Sequence, residues 1–389
     1  MHRLGVLFRS QGDHLLVNWN QTLTFNSNVT ITTTTGDKTL QINGPNALVV
    51  FNGQFRNPNA NWSLYAQEDG EFRINATQYN LNKILKLKKG YLVVKGDVYG
   101  AVDDANQAIS FQGDWGASPK VIVFDASGAQ TISNRVILHR GQAGNYHEVR
   151  FKTKNVNLIS KPRLVQNTVH WNFWNVDQGS YVKVPGFSVS ASGLTMCFGG
   201  GGTTDVVAAN ENANTFNVIL SNGVFLANNP SGNAVNGPVT VCAGAVLGGA
   251  GTLSSTITNL SGGIVSPGNS IGTLTTAGNA VFAAGGILNW EVNGATADKL
   301  SVNALDISAG AVTVKVVNAG SIQIGVTNDA FAFTTLNGNA ANDLVVDVSG
   351  VPGITANIIA GTGSIGIQLV PEPGLIGLGL LALVGMRRK

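Results

Sequence analysis

The chain has 389 residues, which is long enough for one large hydrophobic core or for two to three ordinary ones. Only 12% of the residues are charged while 43% are hydrophobic, which excludes a charge-rich disordered chain, and the 11 prolines are too few for a Pro-rich linker protein. The formal net charge is +3, but residues 1–196 hold 19 Lys and Arg against 12 Asp and Glu, whereas residues 197–370 hold 2 against 8.

The N-terminal stretch MHRLGVLFRSQGDHLLVNW contains no predicted signal peptide. Its apolar runs are all interrupted before they reach seven residues, by Arg9, Gln11, Asp13 and His14. Because features further along the chain favour export, a truncated or mis-started chain is one way to reconcile the two observations.

Short apolar bursts that alternate with polar residues dominate the chain. Leu23 and Phe25 alternate with Thr. Val312, Val314 and Val316 repeat the pattern in the second half. Gly, Asn, Asp or Ser end nearly every burst, and no stretch before residue 374 keeps a helical apolar period for ten residues. We therefore predict an all-β protein.

The number of these bursts favours a solenoid, in which each coil stacks on the previous one, over a single sandwich. The 49 Gly residues and the frequent Asn fit the corners of such coils, where the backbone needs positive φ. The repeat has no strict period. The alternative is two successive β-sandwich domains with a joint near Gly199–Gly202.

The densest basic stretch is KILKLKK at Lys83–Lys89. It is either a contact for an anionic polymer or the solvated face of a strand in which Ile84, Leu85 and Leu87 are partly buried. Because the run is short and isolated, we favour the strand and predict no nucleic-acid partner.

The candidate catalytic residues are Asp103 and Asp104, the adjacent acidic pair of YGAVDDANQ. Hydrolysis by two carboxylates needs them held apart across a bond, whereas neighbouring residues of a strand point to opposite faces. The pair is therefore predicted to form a turn, and no enzyme activity is predicted.

No metal site or cofactor is predicted either. Cys197 and Cys242 lie 45 positions apart without a CxxC pair, so they form one disulfide in an exported protein or remain two separate buried thiols. Gly199–Asp205 is similar to one copy of a calcium-binding Gly/Asp repeat, but such sites need tandem copies. His147 and Glu148 are predicted to lie in a surface loop. None of the histidines has a metal-ligand spacing; they are His2, His14, His139, His147 and His170.

Trp171 and Trp174 in HWNFWNVD are the candidate aromatic contacts for a sugar ring. Their rings either stack on sugars at the surface or fill the interior of the coils. Aromatic side chains are usually spent on packing, so we favour the interior. A lectin-like binder of exopolysaccharide is kept as an alternative.

Residues 199–320 contain several short motifs in a recognisable order. They are the GAVLGGAGTL element (Gly244–Leu253), the SPGNSIGTL element (Ser266–Leu274), a GG turn, a strand with Trp290 and Glu291, and a step at Asp298–Leu300. In this order they resemble the strand repeat associated with autotransporter passenger domains. The resemblance implies a right-handed parallel β-helix exposed outside the cell.

The chain departs from that family in one respect. Autotransporters carry a C-terminal outer-membrane barrel, which needs at least eight strands and an aromatic band that faces the lipid. Only 69 residues follow residue 320, and their aromatic residues are Phe331 and Phe333. No barrel is therefore predicted, and export by that route is not expected.

The C-terminal residues resemble the PEP-CTERM sorting signal of Gram-negative bacteria. Its three parts match the box at Val370–Pro373, the apolar segment at 374–386 and the basic cluster at Arg387–Lys389. The resemblance implies export, temporary retention in the inner membrane through 374–386, and processing near the box by an exosortase-type enzyme. The residues of the predicted signal are Val370, Pro371, Glu372, Pro373, Arg387, Arg388 and Lys389.

Elementary physics agrees with this division of the tail. Pro371 and Pro373 have no N–H group to donate to a ladder, so they are predicted to separate the fold from the tail. As a helix, the apolar segment is about 20 Å long, shorter than the roughly 30 Å hydrocarbon core of a membrane. We therefore expect a short C-terminal hydrophobic helix that serves as a temporary anchor, with its cations at the cytoplasmic side.

The sequence thus predicts four regions. They are solenoid coils over 1–198, the strand-repeat β-helix over 199–320, terminal coils or a cap over 321–366, and the sorting signal over 367–389. The predicted function is a non-enzymatic structural or adhesive protein of the cell surface or extracellular matrix. The alternative is a β-helical polysaccharide-active enzyme or an exopolysaccharide-binding module with the same tail.

Overall fold

The computed structural model describes residues 16–17, 20–30, 38–42, 46–56, 62–66, 70–79, 84–104, 107–111, 120–138, 147–165 and 172–372. These residues form short strands almost throughout. The strands before residue 220 are β1 (Leu16–Val17), β2 (Thr22–Phe25), β3 (Val29–Thr30), β4 (Lys38–Ile42), β5 (Leu48–Phe51), β6 (Phe55–Arg56), β7 (Trp62–Ala66), β8 (Glu71–Ile74), β9 (Gln78–Tyr79), β10 (Leu85–Val94), β11 (Val98–Tyr99), β12 (Ala108–Phe111), β13 (Lys120–Phe124), β14 (Gln130–Ile132), β15 (Arg135–Leu138), β16 (His147–Phe151), β17 (Asn155–Leu158), β18 (Arg163–Leu164), β19 (Asn172–Val176), β20 (Tyr181–Val184), β21 (Ser188–Val189), β22 (Leu194–Gly199), β23 (Thr203–Val206) and β24 (Phe216–Leu220).

The remaining elements complete the chain as far as residue 371. They are β25 (Gly223–Ala227), β26 (Val239–Val241), β27 (Ala245–Gly249), β28 (Thr252–Leu253), β29 (Ile257–Asn259), β30 (Ile264–Pro267), β31 (Thr273–Thr276), β32 (Ala280–Phe282), β33 (Ile287–Gly294), β34 (Thr296–Ala297), β35 (Lys299–Ser301), β36 (Ala304–Asp306), β37 (Val312–Ile322), β38 (Thr327–Ala332), β39 (Thr335–Asn337), the helical turn α1 (Ala340–Asp343), β40 (Leu344–Asp347), β41 (Ile354–Ala360) and β42 (Ser364–Pro371).

The chain divides into two compact units. Unit 1 comprises residues 1–218 and 234–236, and unit 2 comprises residues 219–233 and 237–389. The predicted divisions at residues 198, 320 and 366 stay predictions.

Unit 1 is a stack of coils whose strands pair in parallel with the strands of the next coil. In β13 and β16, Lys120 lies opposite His147, and in β16 and β19, His147 lies opposite Asn172. Similar parallel ladders join β12 to β15 and β14 to β17, so a coil contributes strands to three different ladders. A side chain therefore meets its neighbours from the coils before and after it.

Strand β10 turns a corner between two of these ladders. Its first half pairs with β7 and β12, and its second half pairs with β8 and β13. Gly90 lies at the corner with φ of 82°, and a Cβ atom there would come within 2.6 Å of the Cβ atom of Ala66. Only glycine combines this backbone conformation with so close an approach.

Inward side chains of unit 1 form a continuous apolar stack. Phe25 stacks on Phe51 with ring centroids 5.1 Å apart, and Phe124 stacks on Phe151 at 5.2 Å. Burial of each such side chain stabilises the fold by about 1.5–3 kcal/mol. The alternation seen in the sequence thus separates this interior from the outer face of each strand.

Unit 2 is also built mainly from parallel ladders. Strands β27, β30, β33, β37 and β40 follow one another in one ladder. Antiparallel pairing appears where β42 lies between β38 and β41. The one helix of the described residues, α1, is a single turn that begins after Asn339, whose side chain accepts a hydrogen bond from the N–H group of Ala341.

The predicted parallel β-solenoid is therefore confirmed, and the tandem-sandwich alternative is wrong. Gly199–Gly202 connects β22 to β23 inside unit 1 and is not a joint between sandwiches. The predicted helix at 374–386 lies outside the described residues. Within the residues that the structure describes, no helix is long and apolar enough to cross a membrane.

Candidate functional site: a groove on the outer face of unit 1

The outer face of one ladder in unit 1 carries a groove, formed by β8, the second half of β10, β13 and β16. The pairing register places Tyr91 opposite both Glu71 and Val121, and it places Val93 opposite both Arg73 and Val123. The two middle strands thus carry mainly short apolar side chains outward. The two flanking strands carry long charged ones, so a trough with a volume of about 410 Å³ lies between them.

The floor of the groove is apolar. Val93, Val121 and Val123 retain only 8%, 5% and 6% of their exposure, and Tyr91 packs against them. These side chains point away from the interior, because their strand neighbours Leu92 and Ile122 face inward. The strip formed by these valines therefore lies on the outer face of the solenoid and does not contribute to the packing of its interior.

The walls carry both signs of charge. Arg73 Nε donates to Glu71 Oε1 at 2.7 Å on one wall. On the other wall, Arg150 forms a bidentate pair with Asp177, with N–O distances of 2.8 and 3.2 Å. The lining groups balance in formal charge, because Glu71, Asp125 and Glu148 stand against Arg73, Arg150 and Lys152.

Glu148 is held in place on its wall by the next coil. Asn175 Nδ2 donates to Glu148 Oε1 at 2.8 Å. Lys95 Nζ lies 3.7 Å from Asp125 Oδ2 at the end of the groove. The polar groups of the groove are therefore positioned by partners before any ligand arrives.

A ladder of amides runs across the coils that precede the groove. Asn52 Nδ2 donates to Asn26 Oδ1, and Asn75 Nδ2 donates to Asn52 Oδ1, both at 2.8 Å. Each of these residues follows a strand of the groove ladder. Such an amide ladder stabilises the stacking of coils through side-chain hydrogen bonds.

The carboxylates of the groove are not arranged as an adjacent pair. Glu148 pairs in register with Val121, four residues before Asp125. Four residues along a strand at about 3.3 Å each and one step of about 4.8 Å between strands separate their Cα atoms by roughly 14 Å. The register therefore places these two acids at opposite ends of the groove.

The predicted turn at Asp103 and Asp104 is confirmed, because Asp103 has φ of 58° and lies in a turn. Arg135, whose side chain is only 4% exposed, forms ion pairs with Asp103 Oδ1 at 3.1 Å and with Glu211 Oε2 at 3.3 Å, and it donates a hydrogen bond to Glu211. The Asp103 carboxylate also accepts from the N–H group of Lys161. Glu211 was not foreseen, since nothing in the sequence links it to a residue 76 positions away from it.

The predicted surface loop at His147 and Glu148 is wrong. Both residues lie in β16 and are only 2% and 7% exposed. His147 Nε2 lies 3.4 Å from Lys120 Nζ, and its ring stacks on Phe111 at 5.0 Å. His147 and Lys120 face inward together, so each provides part of the polar surroundings of the other, whereas Glu148 points to the outer face.

The structure describes the basic stretch from Ile84 onward and the second of the two tryptophans, Trp174, whereas Lys83 lies outside the described residues. Leu85 and Leu87 are buried in β10 while Lys86 is half-buried, which confirms the strand interpretation. Trp174 is fully buried and packs on Phe151 at 4.6 Å, so it cannot stack on a sugar at the surface. Trp171 lies outside the described residues.

Cys197 is buried and Cys242 is half-buried, and the two cysteines form no disulfide bond with each other. The sequence predicts no calcium site at Gly199–Asp205. In the structure, Asp205 of this segment accepts a hydrogen bond from the Tyr181 hydroxyl. The part of the chain that the structure describes holds no group of three or more His, Cys, Asp or Glu side chains placed to bind a metal ion.

The motifs of the second half meet at Asp298, which is fully buried in unit 2. Its Oδ1 accepts the N–H group of Gly272 at 2.8 Å, its Oδ2 accepts the N–H group of Glu291 at 3.2 Å, and its carbonyl accepts Trp290 Nε1 at 2.8 Å. Burial raises the pKa of Asp298 to about 7. The hydrogen bonds from the N–H groups of Gly272 and Glu291 act in the opposite direction and lower this pKa. Asp298 thus ties β33 to the loop before β31.

The predicted sorting box begins inside the fold. Val370 and Pro371 are the last residues of β42, opposite Thr355 and Ile354 of β41. The N–H group of Glu372 donates to the carbonyl oxygen of Gly353 at 3.1 Å. The other predicted signal residues, Pro373, Arg387, Arg388 and Lys389, lie outside the described residues.

Comparison with known proteins finds no family model and no curated protein that matches this chain.

Proposed function

We propose that this chain is an exported, non-enzymatic β-solenoid of the cell surface or extracellular matrix, with a structural or adhesive role. The observation that carries the proposal is the ordered C-terminal series of box, apolar segment and basic cluster, which begins with Val370 and Pro371 at the end of β42. A β-solenoid is compatible with such a role, because its stacked coils offer an extended outer face for contact.

The proposed route to the surface is processing by an exosortase-type enzyme while residues 374–386 hold the chain in the inner membrane. Mass spectrometry of the mature protein from its native host tests this directly. Loss of the residues that follow the box is expected. A full-length chain ending at Lys389 and found in the cytoplasm would overturn the localisation.

A variant series separates the tail from the fold in that experiment. Replacing Arg387, Arg388 and Lys389 together by Gln removes the terminal charge, and accumulation of unprocessed chain is expected. The matched control is Pro352→Ala, an exposed proline of the preceding loop, which leaves processing unchanged. Equal processing of all variants would contradict the role of the basic cluster.

A polysaccharide-active enzyme is the second candidate, because the groove presents Glu71, Asp125 and Glu148. The Cα atoms of Asp125 and Glu148 lie roughly 14 Å apart, at opposite ends of the groove, so the backbone does not set these two acids side by side as a catalytic pair. Release of reducing ends from a polysaccharide by the wild-type chain, abolished in Glu148→Gln, would establish the enzyme instead.

A further inference from the structure

We propose that the groove of unit 1 binds a neutral, extended oligosaccharide whose rings lie along the strands on the valine floor. The inference deepens the proposed adhesive function by naming a ligand class and the site that takes it, and it rests on that function only for the biological setting. The geometry of the groove, independent of the tail, carries the argument.

The floor recognises a ligand through side chains alone. Strand β13 is paired on both sides, with β10 and with β16, so its backbone N–H and C=O groups are already used in the ladders. A peptide that adds to a sheet needs an open strand edge. The groove offers none, which disfavours an extended peptide as its occupant.

The walls favour a ligand rich in hydroxyl groups. A hydroxyl donates one hydrogen bond and accepts two, so it can donate to the carboxylate of Glu148 and accept from the guanidinium of Arg150. The lining carries three acidic and three basic groups, so neither a polyanion nor a polycation gains a net electrostatic attraction there. Charge complementarity therefore points to a neutral ligand.

The floor adds a requirement for an apolar face. Val93, Val121 and Val123 form an apolar strip beside the ring of Tyr91. Because the three valines are only 5–8% exposed, the strip offers a ligand close packing and releases little further apolar surface from water. A sugar ring presents C–H groups on its faces and hydroxyls around its edge. Such a ring matches an apolar floor between hydrogen-bonding walls.

The dimensions of the groove select the direction of the ligand. The flanking strands β8 and β16 are three ladder steps apart, about 14 Å between backbones. The long side chains of these two strands block the groove in the direction that runs from one coil to the next. An extended ligand therefore lies parallel to the strands. A volume of about 410 Å³ falls within the roughly 300–1,000 Å³ typical of small-molecule sites.

The test begins with the full chain on an array of neutral and acidic oligosaccharides, followed by isothermal titration calorimetry with the strongest neutral binder. A hexauronate and an extended hexapeptide serve as competing probes. Val123→Lys places a charge on the floor and is expected to weaken binding at least tenfold. Glu148→Gln keeps the shape of the wall and is expected to weaken binding severalfold.

The matched control is Val281→Lys, an outward valine of β32 in unit 2. It carries the same substitution away from the groove, and unchanged affinity is expected. Circular dichroism and the unfolding midpoint establish that each variant is folded, and Glu148→Gln provides the test if Val123→Lys is not.

Several results would overturn the proposal. They are absence of binding to every neutral oligosaccharide, equal affinity of the wild type and Val123→Lys, and preferential binding of the uronate or of the peptide. The mass of the mature chain does not depend on the groove, so failure here is distinguishable from failure of the proposed sorting.

Discussion

Asp298→Asn tests whether burial of one carboxyl group makes unit 2 sensitive to pH. The folded chain holds the proton of Asp298 with a pKa of about 7, whereas the unfolded value is 3.8. Because the folded state binds this proton more tightly, its contribution to stability is complete below about pH 4 and is lost as the pH rises to about 7. Roughly three pKa units correspond to at most about 4 kcal/mol.

The assay is urea unfolding of the wild type and of Asp298→Asn, followed by circular dichroism between pH 4 and pH 8. The asparagine keeps the size of the side chain and one acceptor oxygen but does not titrate in this range. Subtracting the two free energies of unfolding removes the pH dependence of all other groups. We expect the wild type to gain up to about 4 kcal/mol relative to the variant as the pH falls from 7 to 4.

Asp306→Asn is the matched control with the opposite sign. The Asp306 carboxylate accepts hydrogen bonds from the hydroxyl and the N–H group of Ser308, which lower its pKa. Its contribution to stability is therefore present at neutral pH and is lost as the pH falls. A difference between wild type and Asp298→Asn that is independent of pH, or that has the sign of the control, would refute the reasoning about Asp298.

The other predictions concern backbone, ion pairs and the final strand, each measured as a free energy of unfolding in urea. Gly249→Ala places a Cβ atom 2.3 Å from a backbone oxygen of the neighbouring coil, whereas Gly244 also has positive φ but open space around it. Gly249→Ala should therefore cost roughly 1–3 kcal/mol more than Gly244→Ala, and equal costs would contradict this. Arg135→Met removes a buried guanidinium from two carboxylates that are 39% and 42% exposed and stay hydrated, so it should cost no more than about 1 kcal/mol; a loss above about 3 kcal/mol would contradict this. Truncation after Gly363 removes β42 with three buried apolar side chains. Relative to truncation after Glu372, which keeps β42, it should cost several times the roughly 1.5–3 kcal/mol of one such side chain; similar stability of the two truncations would exclude β42 from the folded core.

The class of fold was predictable because its signal is local. Alternation of apolar and polar residues marks the inward face of a strand without knowledge of its partners. Val312, Val314 and Val316 are all buried in β37, as their spacing indicates. The same holds for Leu85 and Leu87 in β10, although lysines surround them.

The groove was not predictable because it depends on the pairing register of strands from different coils, and these coils differ in length. Tyr91 pairs with Val121, 30 positions later, and Val121 pairs with Glu148, 27 positions later. A shift of one residue in either loop would turn the floor valines inward. The sequence therefore shows the valines but not that they form one outward strip.

The error at His147 has a related cause. A polar residue between loop-forming residues is ordinarily exposed, and the sequence offers no partner for it nearby. The ladder brings it opposite Lys120, 27 positions earlier in the chain. Two inward polar groups are tolerated where they face each other, and this pairing is invisible until the register is known.

The placement of the box constrains where the proposed processing can occur. Strand β42 holds Val370 and Pro371 in its ladder, and Glu372 adds a backbone hydrogen bond to Gly353. A proline is tolerated at Pro371 because it is the last residue of the strand. A cut beyond Pro373 leaves these contacts intact, whereas a cut before Val370 removes the end of the strand. The folded unit therefore favours cleavage on the C-terminal side of the box, which keeps β42 and the hydrogen bond of Glu372 intact.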